Sequence, residues 1–171
     1  MNMSFYHSQL NKIKDKGVKD YIKIKHNGKT VVLKIVDESE ETIHLLTEWR
    51  KLYRNMFASN FQMNEKRTKK WISQKRSKED QSILFMIYLE GQIVGNIGMD
   101  LFNRNDNSVE LDNMMKDPNC LEQGLMTTVE KVYLKWIFDY LKISKIRGRL
   151  FTDNFRMLNS HLKCGWKIID V

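Results

Sequence analysis

The segment with the clearest chemical pattern joins a β-rich run to a long helical run through a polar loop that contains one glycine. It reads ELDNMMKDPNCLEQGLMTTVEKVYLKWIF, from Glu110 to Phe138. A loop that leads from a strand into a helix presents unpaired backbone N–H groups and the positive end of the helix dipole, so it suits a phosphate group. A glycine before a helix is also a common structural turn, and this pattern alone leaves that alternative open.

The first half of the chain predicts a hairpin and two helices ahead of this loop. The run from Tyr21 to Val36 predicts a β-hairpin, because Asn27 and Gly28 at its centre supply the positive φ angles of a tight turn. Capping residues at 37–39 predict that a helix follows directly. A second helix is expected at about residues 65–74.

The second half supplies the strands and helices that must hold the loop. Residues 83–102 predict two apolar strands joined by Glu90 and Gly91, and residues 108–115 predict a third, so we expect an antiparallel meander. The clearest helix is predicted from Leu125 to Leu141, where apolar residues fall on one stripe. A strand, a helix and a last strand should follow at 145–151, 155–163 and 167–170.

Composition favours one α+β domain over residues 1–171, with residues 1–20 as an N-terminal extension. A chain of 171 residues with 42% hydrophobic and 29% charged residues can close its own core, which excludes disordered and fibrous proteins. The sequence shows no apolar run long enough for a membrane span and no signal-peptide stretch at its start. Cys120 and Cys164 are too few for a disulfide framework, and we expect reduced thiols in a cytoplasmic protein.

The net charge of +8 comes entirely from the first half of the chain. Residues 1–80 hold 18 Lys and Arg against 10 Asp and Glu, whereas residues 81–171 hold 11 of each. The densest cationic stretch, from Lys66 to Lys78, is interpreted as a solvated helix face with Trp71 and Ile72 buried; a phosphate-bearing ligand or an acidic partner is the alternative. A nucleic-acid-binding module ranks last, because the second half is neutral and no nucleic-acid motif appears.

Four segments between Val32 and Ile169 follow one another in an informative order. They read VVLKIVDESEETIHLLTEWR, IYLEGQIVGNIGM, DPNCLEQGLMTT and TDNFRMLNSHLKCGW. In this order they resemble a strand and helix, a strand pair, the pyrophosphate loop and the asparagine-led helix of the GNAT superfamily of N-acetyltransferases. The resemblance is to the branch that includes ribosomal-protein N-terminal and nucleotide-amino-sugar acetyltransferases.

The resemblance implies a mixed, mostly antiparallel sheet flanked by helices, with an extra N-terminal hairpin strand and a short C-terminus. It implies acetyl transfer from acetyl-CoA to an amine, with the pantetheine arm in a gap between strands 108–115 and 145–151. By similarity, the backbone of Met114 and Met115 would bind the pantetheine and polarise the thioester carbonyl. The backbone N–H groups that would bind pyrophosphate are those of Glu122, Gly124, Leu125, Met126 and Thr127. Asn154 matches a cofactor-contacting asparagine, and a helix N-cap is its alternative role.

The implied reaction needs a base and an acid, because an alkyl amine with a pKa of about 10 arrives as ammonium. Glu110 matches a glutamate base of many relatives, with Asp112 and Asp100 as alternates and an ordinary surface position as the other reading. His161 replaces a tyrosine that in relatives protonates the departing CoA thiolate, and a structural histidine is its alternative. The other three histidines share no ligand-like spacing with it, so no metal site is predicted.

The chain departs from the family pattern in the loop and at its end. Leu121 and Met126 replace the usual Gln or Arg and the usual Gly or Ala. The Glu122 carboxylate would repel pyrophosphate unless it points to solvent or meets Lys131 or another cation. The chain ends soon after Trp166, so the N-terminal hairpin, a second subunit or another part of a larger enzyme should complete the sheet. An open sheet edge favours a homodimer.

The resulting hypothesis is an acetyl-CoA-dependent N-acetyltransferase acting by direct attack in a ternary complex. The basic first half favours an anionic amine, such as a nucleotide-linked amino sugar, and disfavours free polyamines. A protein N-terminal acetyltransferase of the ribosomal-protein type, with a peptide amine as substrate, is the alternative acceptor class. A GNAT-like fold used only as a binding module is the alternative without catalysis.

Overall fold

A computed structural model describes residues 5–17, 19–57 and 62–170, which form five helices and six strands. The helices are α1 (Phe5–Asp15), α2 (Glu40–Leu52), α3 (Glu65–Arg76), α4 (Leu125–Leu141) and α5 (Phe155–Lys163). The strands are β1 (Asp20–His26), β2 (Lys29–Ile35), β3 (Ile83–Leu89), β4 (Gln92–Asn103), β5 (Ser108–Lys116) and β6 (Lys145–Arg147). The predicted α+β class is confirmed, and so are the bounds of α4 and α5.

All six strands belong to one sheet in the order β1 to β6. The first five strands are antiparallel, and β6 is added parallel to β5. The predicted hairpin is confirmed, since Asn27 and Gly28 take φ angles of +49° and +79° between β1 and β2. The turns of the β1–β2 and β3–β4 hairpins and the end of β5 lie at one end of the sheet, beside the loop that precedes α4.

Helices cover both faces of the central strands. Phe85 of β3 contacts the rings of Tyr133 and Trp136 on α4, at centroid distances of 5.9 and 5.6 Å. Its neighbours Leu84 and Met86 point to the opposite face and are equally buried. On that face α3 contacts β3 and packs against α2. The side chains of α3 that face this layer are buried while most of its lysines are exposed, which confirms the solvated cationic face.

Helix α1 is a feature that the sequence analysis missed. Tyr6, Leu10 and Ile13 follow helical spacing and are buried in the core, and α1 contacts α4. The Tyr6 ring also stacks on Phe102 with centroids 4.0 Å apart. The polar, mixed-charge composition of the first residues concealed this stripe, so part of the predicted N-terminal extension is core structure.

The predicted last strand at 167–170 is wrong. These residues form no strand, and Ile169 is 88% exposed. The strand predicted at 145–151 shortens to β6, whose three residues offer too little edge for another strand to pair. The N-terminal hairpin cannot replace it, because β1 lies at the opposite edge of the sheet. Among the described residues, no helix is long and apolar enough to cross a membrane.

Candidate functional site

Strands β5 and β6 separate after three paired positions. The last parallel pair is Glu110 with Arg147, and β5 continues to Lys116 without a described partner on that side. The chain beyond β6 turns towards Trp166, whose ring would lie 3.2 Å from a Cβ placed on Gly148. The side of β5 from Leu111 onwards therefore borders an opening between the two strands, where the sequence analysis expected a gap.

A bulge in β5 lies along this opening. Asn96 and Gly98 of β4 pair with Met115 and Asp112, so two residues of β5 oppose one residue of β4. One of the two, Asn113, has a φ angle of +50°, which is uncommon for a residue other than glycine. The side-chain amide of Asn96 donates a hydrogen bond to the Asn113 carbonyl and holds the bulge. Because a bulge leaves its extra residue outside the ladder, the backbone near Met114 is available to a ligand.

Helix α4 begins at the end of this opening without a side-chain cap. Gly124 is the N-cap residue, and its φ of +70° is readily adopted by glycine. The Thr128 N–H bonds to the Gly124 carbonyl at 3.0 Å, which leaves the preceding turn, Leu125 to Thr127, at the open end of the helix. Backbone N–H groups at such an end, with the positive end of the helix dipole, form an anion site.

The Glu122 carboxylate is bonded to residues at the tip of the β1–β2 hairpin. It accepts hydrogen bonds from the Lys29 ammonium and from Nδ2 of Asn27, the latter at 3.0 Å, and these bonds lower the pKa of Glu122. Of the alternatives that the sequence left open, the cation that meets it is therefore Lys29 and not Lys131. The Lys116 ammonium also donates to the Glu122 carbonyl at 2.8 Å, which adds a positive charge beside the loop.

Three carboxylates lie on neighbouring positions of β4 and β5. Glu110 accepts a hydrogen bond from Nε of Arg149 at 2.9 Å, and Asp100 accepts one from Lys75. Asp112, two residues beyond Glu110 on the same face, is half-buried, and burial raises the pKa of its carboxyl despite the opposing effect of Lys75. The fold therefore increases the proton affinity of the Asp112 carboxylate.

His161 is held by a buried carboxylate that the sequence analysis did not identify. Its Nδ1 lies 2.6 Å from Oε1 of Glu130, and the same oxygen accepts a hydrogen bond from the Trp166 indole at 2.7 Å. Glu130 is completely buried on α4. The available signal was helical spacing: Glu130 lies three, four and seven residues before the buried Tyr133, Leu134 and Ile137, and buried glutamates are rare unless paired.

Asn154 is the N-cap residue of α5, which confirms one of its two predicted roles. Its Oδ1 accepts a hydrogen bond from the Met157 N–H at 3.2 Å. This bond uses only the oxygen of the side-chain amide, so the cap and a ligand contact through Nδ2 are compatible.

The open end of α4 and helix α5 are brought together by side-chain contacts. Thr127 Oγ1 lies 3.1 Å from Ser160 Oγ, and Cys164 Sγ lies 3.6 Å from the Thr127 carbonyl. Burial, with the nearby Glu130 carboxylate, raises the pKa of the Cys164 thiol to about 12, so this cysteine is a poor nucleophile at neutral pH. Within the described parts of the chain, no cluster of three or more metal-ligating side chains occurs.

Comparisons with known proteins agree with this geometry. The model of a family described as an acetyltransferase (GNAT) domain matches residues 31–167. No curated protein sequence matches the chain significantly.

Solved structures share the fold at low sequence identity. RimL, a ribosomal L7/L12 alpha-N-protein acetyltransferase in complex with coenzyme A, is 13% identical with a TM-score of 0.70, over 84% of this chain and 82% of its own. FdhC, a nucleotide-linked sugar GNAT in its apo form, is 18% identical with a TM-score of 0.71, over 86% and 83%. Spermidine N-acetyltransferase from Vibrio cholerae, with CoA and spermine, is 13% identical with a TM-score of 0.68, over 79% of each chain.

Proposed function

The chain belongs to the GNAT acetyltransferase family and is an N-acetyltransferase, and we propose that it moves an acetyl group from acetyl-CoA to a primary amine by direct attack in a ternary complex. The observation that carries this proposal is the opening between β5 and β6 that leads to the uncapped N-terminus of α4. An extended pantetheine arm fits the first feature, and a pyrophosphate fits the second.

The donor groups around the opening suit the two parts of this co-substrate. Backbone N–H groups of the loop and first turn would bind the pyrophosphate, namely those of Glu122, Gly124, Leu125, Met126 and Thr127. The Lys116 ammonium lies beside this loop and adds a favourable charge. The backbone of Met114 and Met115 would bind the pantetheine and polarise the thioester carbonyl beside the β5 bulge. Nδ2 of Asn154 would supply a further contact.

Two carboxylates of β5 are the candidates for removing the proton of the amine. Glu110 lies at the last paired position of β5 and β6, where Arg149 holds it. Asp112 lies next to the bulge, and burial raises the pKa of its carboxyl, which suits a general base. We assign the main role to Asp112 and a supporting role to Glu110, through a water or by charge.

His161 would protonate the departing thiolate. Because its Nδ1 is engaged by Glu130, Nε2 is the nitrogen that remains for proton transfer. Glu130 acts through His161 and is a positioning residue, since it fixes the orientation of the imidazole ring.

An anionic amine is the proposed acceptor, with a nucleotide-linked amino sugar as its first example. The exposed lysines of α3 support this class, while the inward-facing Lys75 is already paired with Asp100. The sugar GNAT and the protein acetyltransferase among the structural neighbours represent the preferred and the alternative acceptor. A binding module without catalysis is the remaining alternative.

Release of free CoA thiol from acetyl-CoA tests the proposal with three amines. We expect turnover with a nucleotide-linked amino sugar, less with an acidic peptide that has a free N-terminus, and least with spermidine. Preferred turnover of the peptide would move the acceptor class to protein N-termini. Cofactor binding without turnover of any amine would support the binding module.

A further inference from the structure

The tip of the β1–β2 hairpin contacts the loop that would bind pyrophosphate. His26, the last residue of β1, is only 8% exposed although it lies next to a turn. Its Nε2 lies 2.9 Å from the carbonyl oxygen of Gln123, and its Nδ1 lies 2.9 Å from the hydroxyl of Thr128. A carbonyl oxygen can only accept, so Nε2 carries the hydrogen of that bond. One imidazole therefore ties the residue before Gly124 to the first full turn of α4.

The imidazole also lies against the glycine of the loop. A Cβ placed on Gly124 would be 3.7 Å from Cε1 of His26, which is ordinary van der Waals contact. Gly124 has a positive φ angle. Because glycine is conformationally permissive, this residue alone would not hold the loop in one conformation. The ring supplies the restriction that the glycine lacks, so it limits the directions in which the adjacent N–H groups point.

The same hairpin tip neutralises Glu122, the acidic residue of the loop that is nearer to the start of α4. The Glu122 carboxylate accepts hydrogen bonds from Lys29 and Asn27 and lies 3.5 Å from Nε2 of His26. Without Lys29 this carboxylate would remain beside a site that binds phosphate, and like charges would repel. Lys29 therefore removes an electrostatic obstacle to anion binding without touching the anion.

We propose that the N-terminal hairpin is part of the cofactor site, with His26 and Lys29 as positioning residues for the pyrophosphate loop. His26 fixes the path of the loop through Gln123 and Thr128, and Lys29 cancels the charge of Glu122. This inference rests on the proposed function, because it assumes that the loop binds CoA. Both residues precede Val32, where the resemblance to the family begins.

The charge argument is tested by the variants K29A, E122Q and the K29A/E122Q double variant. Calorimetric titration with CoA at low salt should show about fivefold weaker binding to K29A, a typical effect for one exposed ion pair. The double variant should bind within about twofold of the wild-type protein, because it no longer carries the unpaired carboxylate. The loss in K29A should also shrink at high salt. Lys25→Ala, on the same hairpin but bonded to Thr30, is the matched control.

The positioning argument is tested by H26A and H26Q. We expect the Michaelis constant for acetyl-CoA to rise about tenfold in H26A with little change in kcat, because binding geometry is lost before the chemical step. H26Q keeps a donor near the position of Nε2 and should recover most of this loss. Equal behaviour of H26A and H26Q would overturn the assignment to the Gln123 hydrogen bond.

The wild-type titration separates this inference from the function on which it rests. Absence of CoA binding to the wild-type protein would overturn both. Wild-type binding with unchanged affinity in K29A and H26A would overturn the role of the hairpin and leave the proposed function intact. If H26A does not fold, the K29A series decides alone. Failure of the E122Q substitution to restore CoA binding in the K29A/E122Q double variant would then contradict the charge argument.

Discussion

At the scale of residues, the site combines groups whose properties depend on neighbours far away in sequence. Glu122 and Lys29 are 93 positions apart, and His161 and Glu130 are 31 apart. The sequence indicated that Glu122 needed a cation but could not identify it, because local spacing does not report which hairpin reaches the loop. The family resemblance pointed to Glu110 and to His161, which replaces a tyrosine, as candidates, but it could not indicate their hydrogen-bond partners.

The raised pKa of Asp112 gives the first prediction. If Asp112 accepts the proton of the amine, its deprotonated form is active, so kcat/KM should fall as pH decreases through a value above the ordinary range of an aspartate. Asp112→Asn should lower kcat/KM by about 100-fold and abolish this acidic limb. Steady-state rates across pH provide the measurement, with Glu110→Gln as the comparison. A larger loss in the Glu110 variant would reverse the two assignments.

The two roles of Asn154 give a second prediction. Asn154→Asp keeps an oxygen that can cap α5, whereas Asn154→Ala removes it and should cost about 1 kcal/mol of unfolding free energy. If Nδ2 also contacts the cofactor, both variants should bind CoA more weakly, although only the alanine variant loses stability. Urea unfolding and CoA titration measure the two effects separately. Unchanged CoA affinity in the aspartate variant would leave Asn154 with capping alone.

At the scale of elements, patterns with a strong local cause were predictable. The turn at Asn27 and Gly28, the stripe of α4 and the cap of α5 are encoded within a few residues of sequence. The last predicted strand failed because a β-rich run forms a strand only where an edge can receive it, and the three residues of β6 provide almost none. Helix α1 was missed because its few apolar residues lie in a strongly polar stretch.

Helix α1 gives a prediction at this scale. Leu10 is fully buried on α1, whereas Phe5 on the same helix is 52% exposed. Leu10→Ala should therefore lower the unfolding free energy by about 3 kcal/mol, and Phe5→Ala should change it little. Chemical denaturation of both variants measures the difference. Equal, small effects would show that α1 does not pack into the core.

The role of Gly124 at the start of α4 can be tested by comparison with Gly17, which follows α1. Both have positive φ angles near +70°, and only Gly124 belongs to the proposed phosphate site. Substitution by alanine should cost about 1 kcal/mol of stability at either position, because alanine is disfavoured in the left-handed region. Only Gly124→Ala should also weaken CoA binding. Equal loss of CoA affinity in both variants would indicate a general effect of destabilisation.

At the scale of the whole molecule, the sheet organises every part of the candidate site. The turns of the β1–β2 and β3–β4 hairpins lie at the sheet end from which the loop runs to α4, the carboxylates lie on β4 and β5, and α5 packs against α4. The α+β class, the hairpin and the meander followed from the sequence and the family resemblance, whereas the pairing of β2 with β3 was not predicted. The contact between the β1–β2 hairpin and the phosphate loop could not be predicted, because only the assembled sheet brings the two together. A homodimer, favoured by an open sheet edge, stays a prediction that the molar mass in solution would test.

Calorimetric titration of CoA and acetyl-CoA into the wild-type protein tests the central claim most directly. If the uncapped end of α4 and the opening beside β5 form a cofactor site, both ligands should bind saturably with dissociation constants in the micromolar range, and Asn154→Ala should weaken both. Binding of neither ligand at millimolar concentration would contradict the account, since it would leave the loop without the anion that its geometry is proposed to hold.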